Sequence, residues 1–231
     1  MKILAIDTAT TSSSIALLED NTLLAEYTVY VKKNHSERLL PLIDHAFKTL
    51  SISLNEVDFL ALTTGPGSFT GLRVGIATVK GLAWTLKKPM VSIPTLKAIA
   101  VNVQCTDKLI CPVLDARKKE VYAAVYRYDK DILVTEKEVF LTTSSDLAAY
   151  LNKPTIFLGD GITNYRDVFK DALGNNAVFA PEALWHPKAS NIGTLAFCEI
   201  KKGNVQRAWV VTPHYIRKTD AEFKIHPKNR L

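Results

Sequence analysis

The first hundred residues change hydrophobic period in an order that few folds allow. Lys2 to Ile6, Ser14 to Leu18 and Leu23 to Val31 are short apolar runs separated by the turn-like segments Thr8–Ser13 and Glu19–Thr22, and read as three consecutive strands. Leu39, Leu40, Leu42, Ile43, Ala46, Phe47 and Leu50 then recur at i, i+3, i+4 and i+7, which predicts a helix with one buried face, capped by Ser36. Val57 to Thr64 is a nearly continuous apolar run of strand length. A glycine loop, a helix from Phe69 to Lys87, a strand from Met90 to Ile93 and a helix beginning at Thr95 follow it.

An antiparallel meander that runs on into parallel strands joined by helices satisfies right-handed, uncrossed connection rules as a ribonuclease-H-like lobe. The second half repeats the opening. Leu109 to Leu114 ends in Asp115 as the first strand ends in Asp7, and Val121 to Tyr128 and Leu133 to Leu141 supply two more strands. A helix over Ser144–Asn152 and a strand over Thr155–Leu158 come next. The expected architecture is therefore α/β, with two ribonuclease-H-like lobes facing one cleft, each a mixed sheet flanked by helices. The expected division is 1–104 and 105–231, with the boundary among the polar residues Asn102 to Lys108. A helix around Ser190–Lys201 is able to cross back, and its partner lobe is left open.

The chain has 231 residues, 47% apolar and 23% charged, which excludes a disordered polymer. Four apolar residues before Asp7 are too few for a signal-peptide core, and the glycine- and proline-broken run from Phe59 to Leu72 is too short to span a membrane, so a cytoplasmic protein is expected. Cys105, Cys111 and Cys198 read as free thiols. The histidines His35, His45, His186, His214 and His226 never fall at i, i+4, and no metal site is expected. Residues 201–231 carry eight Lys/Arg against Asp220 and Glu222, which equals the whole net charge of +6. A solvated basic end is favoured over an RNA-contacting one.

Gly65-Pro66-Gly67-Ser68-Phe69-Thr70-Gly71-Leu72-Arg73-Val74-Gly75 sits between a strand and a helix, where backbone N–H groups and the helix dipole are able to receive an anion. It lacks the Gly-Lys-Ser/Thr of a phosphate-binding loop and the spacing of a dinucleotide fingerprint. Gly71, Gly75 and Ala77 to Gly81 are small residues at helical spacing, which close helix packing would explain. Arg73, Lys80 and Lys87 form one narrow charged stripe, so the helix is apolar on more than one side, facing its own sheet and either a neighbouring helix or a second chain.

Asp7 and Asp115 end matching strands, where a nucleotide-binding fold uses carboxylates to hold Mg²⁺ or position water. Neither is followed by a glycine that would let backbone approach a phosphate. Gly159-Asp160-Gly161 fits either a nucleotide-base contact or an Asp-Gly turn, and His35, near a helix start, reads as a surface or capping group rather than a base.

Ile3-Leu-Ala-Ile-Asp7-Thr-Ala-Thr10, the Gly65–Gly75 segment, Leu114-Asp-Ala-Arg-Lys-Lys-Glu-Val-Tyr122 and Tyr215-Ile-Arg217 together resemble the bacterial TsaB (YeaZ) family over almost the whole chain. The resemblance implies a two-lobed fold of the actin, sugar-kinase and Hsp70 type (ASKHA). It also implies a part in making N6-threonylcarbamoyladenosine at position 37 of tRNAs reading codons that begin with A. In that family TsaC makes threonylcarbamoyl-AMP, TsaD transfers the group using a bound metal, TsaE is an ATPase, and TsaB is the non-catalytic platform that binds TsaD. The implied interface is the helix pair Ser36–Leu50 and Phe69–Lys87, represented by Leu39, Leu42, Ile43, Phe69, Leu72, Arg73, Ile76 and Lys80. It would take TsaD or, without it, a second copy, with TsaE joining the assembled complex and tRNA touched only indirectly or weakly. No catalytic residue, metal or cofactor of its own is expected, with ATP or ADP assigned at most to the interface of the complex. The alternatives are an ATP-dependent phosphotransferase or acyltransferase using Asp7 and Asp115, and a glycoprotease-type peptidase.

Overall fold

Residues 1–30 and 35–217 are described by a computed structural model of the chain. Strands β1 (Lys2–Asp7), β2 (Ser12–Glu19) and β3 (Thr22–Tyr30) form an antiparallel meander; β4 (Phe59–Thr63) pairs with β1 in parallel and β5 (Met90–Ile93) with β4. The second sheet repeats the plan. There β6 (Leu109–Asp115), β7 (Glu120–Asp129) and β8 (Ile132–Thr143) are antiparallel, and β9 (Thr155–Leu158) and β10 (Ala177–Phe179) extend the β6 edge in parallel. Reading outward from the meander, the orders β3-β2-β1-β4-β5 and β8-β7-β6-β9-β10 are identical. The duplication expected from the strands ending at Asp7 and Asp115 is thus real, and each lobe is ribonuclease-H-like.

The central strands are apolar on both faces because both faces are covered. On one side, Leu4, Ile6, Leu60 and Leu62 pack with Leu39, Ile43 and Phe47 of α1 (His35–Leu50) and Ile76, Val79 and Ala83 of α2 (Phe69–Leu86). On the other, Ile3, Ala5 and Ala61 meet Ala189, Ile192 and Ala196 of α6 (Ala189–Lys201). Alternate residues of one strand therefore serve two separate cores.

This overturns the expected division at 104/105. The chain does leave the first sheet there, but α6 and the residues after it return to the first lobe, because the apolar stripe of α6 fits the sheet face that α1 and α2 leave open. Helix α3 (Thr95–Ala100) lies between the lobes, with Ala98 in the first core and Leu96, Ile99 and Ala100 in the second. Helices α4 (Ser144–Tyr150) and α5 (Ile162–Leu173) complete the second lobe, where Phe157 stacks on Phe169 at 4.4 Å. Among the described residues no helix is long and apolar enough to cross a membrane, and Cys105, Cys111 and Cys198 are unpaired.

After α6 the chain forms a strap over residues 206–217. Gln206 exchanges two backbone hydrogen bonds of 2.8 Å with Met90; the segment then runs the length of α2 towards its first turn. Lys80 Nζ donates to the Val211 carbonyl at 3.1 Å, and His214 N–H donates to the Thr64 carbonyl at 2.7 Å. Arg73 Nε donates to the Tyr215 hydroxyl at 3.0 Å. Finally Arg217 reaches the second lobe, donating to the Ala116 carbonyl and pairing with Glu120. Val31, His226 and the basic residues beyond Arg217 lie outside the described residues.

Candidate functional site

The lobes enclose a cleft of about 520 Å³ lined by the β1–β2 turn, the Gly67–Thr70 loop and the β6–β7 turn. Its first wall is set by an unusually close approach. Ser68 N–H donates to the Ala9 carbonyl at 2.7 Å, Thr8 Oγ1 donates to the Gly71 carbonyl at 2.8 Å, and a Cβ at Gly71 would overlap the Thr8 carbonyl oxygen. Gly75 also faces Thr8, whereas Gly81 has open space around its Cα. Gly71 and Gly75 therefore serve contact with the β1–β2 turn rather than the helix-on-helix packing expected from their spacing, and Gly81 makes no such contact. The same contacts take two of the donors at the start of α2. Ser68 N–H is given to Ala9, and Gly71 N–H to the Ser68 hydroxyl that caps the helix.

Asp7 lies behind this wall, fully buried, and does not line the cleft. Its Oδ1 accepts from Thr63 Oγ1 at 2.5 Å and from Ala9 N–H at 3.1 Å, while Oδ2 has no partner among the described residues. Burial raises its pKa to about 7, against the lowering effect of those two hydrogen bonds.

Asp115 does reach the cleft, but its oxygens accept from Arg117 N–H at 2.8 Å and Asn164 Nδ2 at 3.3 Å. Asp160 supports it by accepting from Asp115 N–H at 3.1 Å, and Gly161 N–H bonds the Val113 carbonyl, so Gly159-Asp160-Gly161 is a turn entering α5. Burial raises the Asp160 pKa. The two strand-end acids thus do not confront each other across the cleft as a catalytic or Mg²⁺-holding pair must. Of the two strand-end acids only Asp115 lines the cleft, and the β1–β2 turn beside it is pinned to α2.

His35 begins α1 and hydrogen-bonds Ser13 through Nδ1 at 2.7 Å; His186 holds Thr10 at 3.2 Å. Burial lowers the pKa of both. They fasten the β1–β2 turn from two sides. Among the described residues no three His, Cys, Asp or Glu side chains gather as a metal set.

The expected interface residues divide by burial. Leu39, Ile43, Leu72 and Ile76 turn inward and are core residues, since an amphipathic helix gives its most apolar stripe to its own sheet first. Leu42 and Lys80 are part-exposed, and Lys80 is spent on the strap. Only Phe69 and Arg73 stand on the surface, stacked together with the Arg73 guanidinium 3.7 Å from the Phe69 ring centre and Phe69 4.9 Å from Tyr215. The outer stripe of α2 continues from Arg73 through the exposed Ala77 and Gly81. A hollow of about 660 Å³ beside it is lined by Leu40, Phe47, Ile52, Leu54 and Leu82. Residue periodicity did not disclose the roles of Tyr215 and Arg217; their only signal was the Tyr215-Ile-Arg217 motif.

Comparison with known proteins follows the same line. The family model "TsaD: tRNA N6-adenosine threonylcarbamoyltransferase" matches residues 27–225. The tRNA threonylcarbamoyladenosine biosynthesis protein TsaB of Escherichia coli (strain K12) is 38% identical over 99% of this chain and 100% of its own length. The chain belongs to the TsaB (YeaZ) family. YeaZ from Pseudomonas aeruginosa superposes with a TM-score of 0.81 at 26% identity, covering 93% of this chain and 99% of that one. The ROK hexokinase of Thermus thermophilus, at 13% identity and a TM-score of 0.51 over 88% of this chain and all of its own, shares the ASKHA fold alone. The TsaB family acts in tRNA threonylcarbamoyladenosine biosynthesis.

Proposed function

We propose that this chain is the non-catalytic scaffold of the threonylcarbamoyl-transfer complex, a cytoplasmic subunit that binds TsaD through the outer face of α1 and α2 and admits TsaE to the assembly. The observation that carries this reading is the uncovered stripe Arg73–Ala77–Gly81 on α2, flanked by the exposed Leu40 and Phe69. Small side chains on an otherwise apolar helix permit another helix to approach closely, and exposed large apolar residues around them supply buried area on contact. A second copy of the chain takes the same face when TsaD is absent. The sealed Asp7 supports a role without local chemistry, and any ATP or ADP of the complex is assigned to the subunit interface rather than to this cleft.

The test is co-elution with TsaD. Ala77→Glu places a charge in the middle of the stripe without touching the core, so the variant should retain its Tm and lose the complex at about micromolar concentration. An intact complex would remove α2 from the interface.

A further inference from the structure

The carboxyl end of α2 carries a second surface that the scaffold reading does not use. Trp84 and Trp209 are 70% and 58% exposed, their rings 6.1 Å apart and inclined at 72°. They frame a groove of about 530 Å³ whose charged lining is Lys87, Lys88 and Arg207, with no carboxylate among its lining residues. The floor is fixed. Gln206 is tied to Met90 by two backbone bonds, a turn closed by Val210 N–H on the Arg207 carbonyl presents Trp209, and the Arg207 guanidinium lies 5.3 Å from the Trp209 ring. Lys87 caps α2 in the left-handed conformation (φ 55°) that helices ordinarily give to glycine.

We propose that this groove binds single-stranded RNA, with bases stacking on Trp84 and Trp209 and the intervening phosphates held by Lys87, Lys88 and Arg207. Two inclined π-faces walled by cations match a strand in which planar bases alternate with negative charges. A protein interface would instead place charge at the rim and deplete it from the centre. The groove adjoins the carboxyl end of the TsaD face, since Trp84 lies three positions beyond Gly81, about 4.5 Å along the helix, while Trp209 and Arg207 come from the strap and lie off that stripe. Substitutions on the strap therefore separate this proposal from the scaffold reading.

The experiment is a fluorescence titration of the whole chain with a short oligoadenylate, and in parallel with poly-glutamate, at about 50 mM salt. Trp185 is buried with its indole N–H on the Ala180 carbonyl and gives a constant background, so quenching reports the two exposed indoles. Saturable quenching by oligoadenylate is expected, weakened about tenfold by Trp84→Ala or Trp209→Ala and largely kept by Trp84→Phe. Lys87→Gln with Lys88→Gln should flatten the salt dependence. In the complex, Trp209→Ala should lower tRNA affinity while co-elution with TsaD is unchanged. No saturable quenching by RNA, alanine variants that bind it like the parent, or poly-glutamate binding as tightly as RNA would each overturn the proposal, the last in favour of an acidic protein segment.

Discussion

Thr63 and Asp7 are joined by a 2.5 Å hydrogen bond that runs from one parallel strand to its neighbour at the top of the first sheet. The bond holds one carboxylate oxygen of a side chain with no exposed surface, and leaves the other unpartnered among the described residues. With the folded pKa raised from 3.8 to about 7, folding favours the protonated acid. The contribution is fully present below pH 3.8 and is lost as pH rises through about 7. Asp7→Asn, which keeps the shape and removes the charge, should stabilise the protein at pH 8 by on the order of 3 kcal/mol and leave it unchanged near pH 4. Denaturant unfolding of both proteins at the two pH values measures this; a variant less stable than its parent at pH 8 would contradict it.

Gly71 and Gly81 should respond oppositely to the same substitution. Gly71→Ala drives a methyl group into the Thr8 carbonyl and should cost about 2 kcal/mol in spite of its better helix propensity. At Gly81 nothing stands within 4 Å of the added atom, and Gly81→Ala should gain up to about 1 kcal/mol. Chemical denaturation of the pair decides the matter, and equal effects would show that the β1–β2 turn is not pinned to α2.

Arg217 holds a turn in which Arg117, Lys118 and Lys119 all have positive φ, between 56° and 64°. Left-handed backbone at three successive non-glycine residues persists only where neighbouring contacts enforce it. Arg217→Ala should destabilise the protein by about 1–2 kcal/mol, and speed hydrogen exchange at the Glu120 N–H while that of β4 stays protected. Unchanged exchange at Glu120 would mean that the turn holds itself.

Both lobes are legible in the chain because β1 and β6 are continuous apolar runs ending in an acid, and because α1 and α2 have clear helical periods. Which face of α2 meets what is not legible. Apolar residues cover more than one side of it, and the pattern alone does not separate Leu72 and Ile76, which enter the core, from Phe69, which does not. Helix α5 escapes notice because only Ile162 and Phe169 are fully buried, seven positions apart in a mostly polar segment. The strap has no period at all, since backbone bonds to Met90 and Thr64 hold it and only tertiary structure supplies those partners. At the site, the absence of glycine after Asp7 is legible in the sequence, but the burial of Asp7 depends on Ala9 and Ser68 meeting across 59 residues of chain.

The most direct measurement is tRNA threonylcarbamoylation by TsaC, TsaD and TsaE reconstituted with the parent chain or with Asp7→Asn combined with Asp115→Asn, once the variant is seen to co-elute with TsaD. A scaffold without local chemistry should support the parent's rate within about twofold. A loss of about a hundredfold or more in an intact complex would mean that this cleft takes part in the reaction.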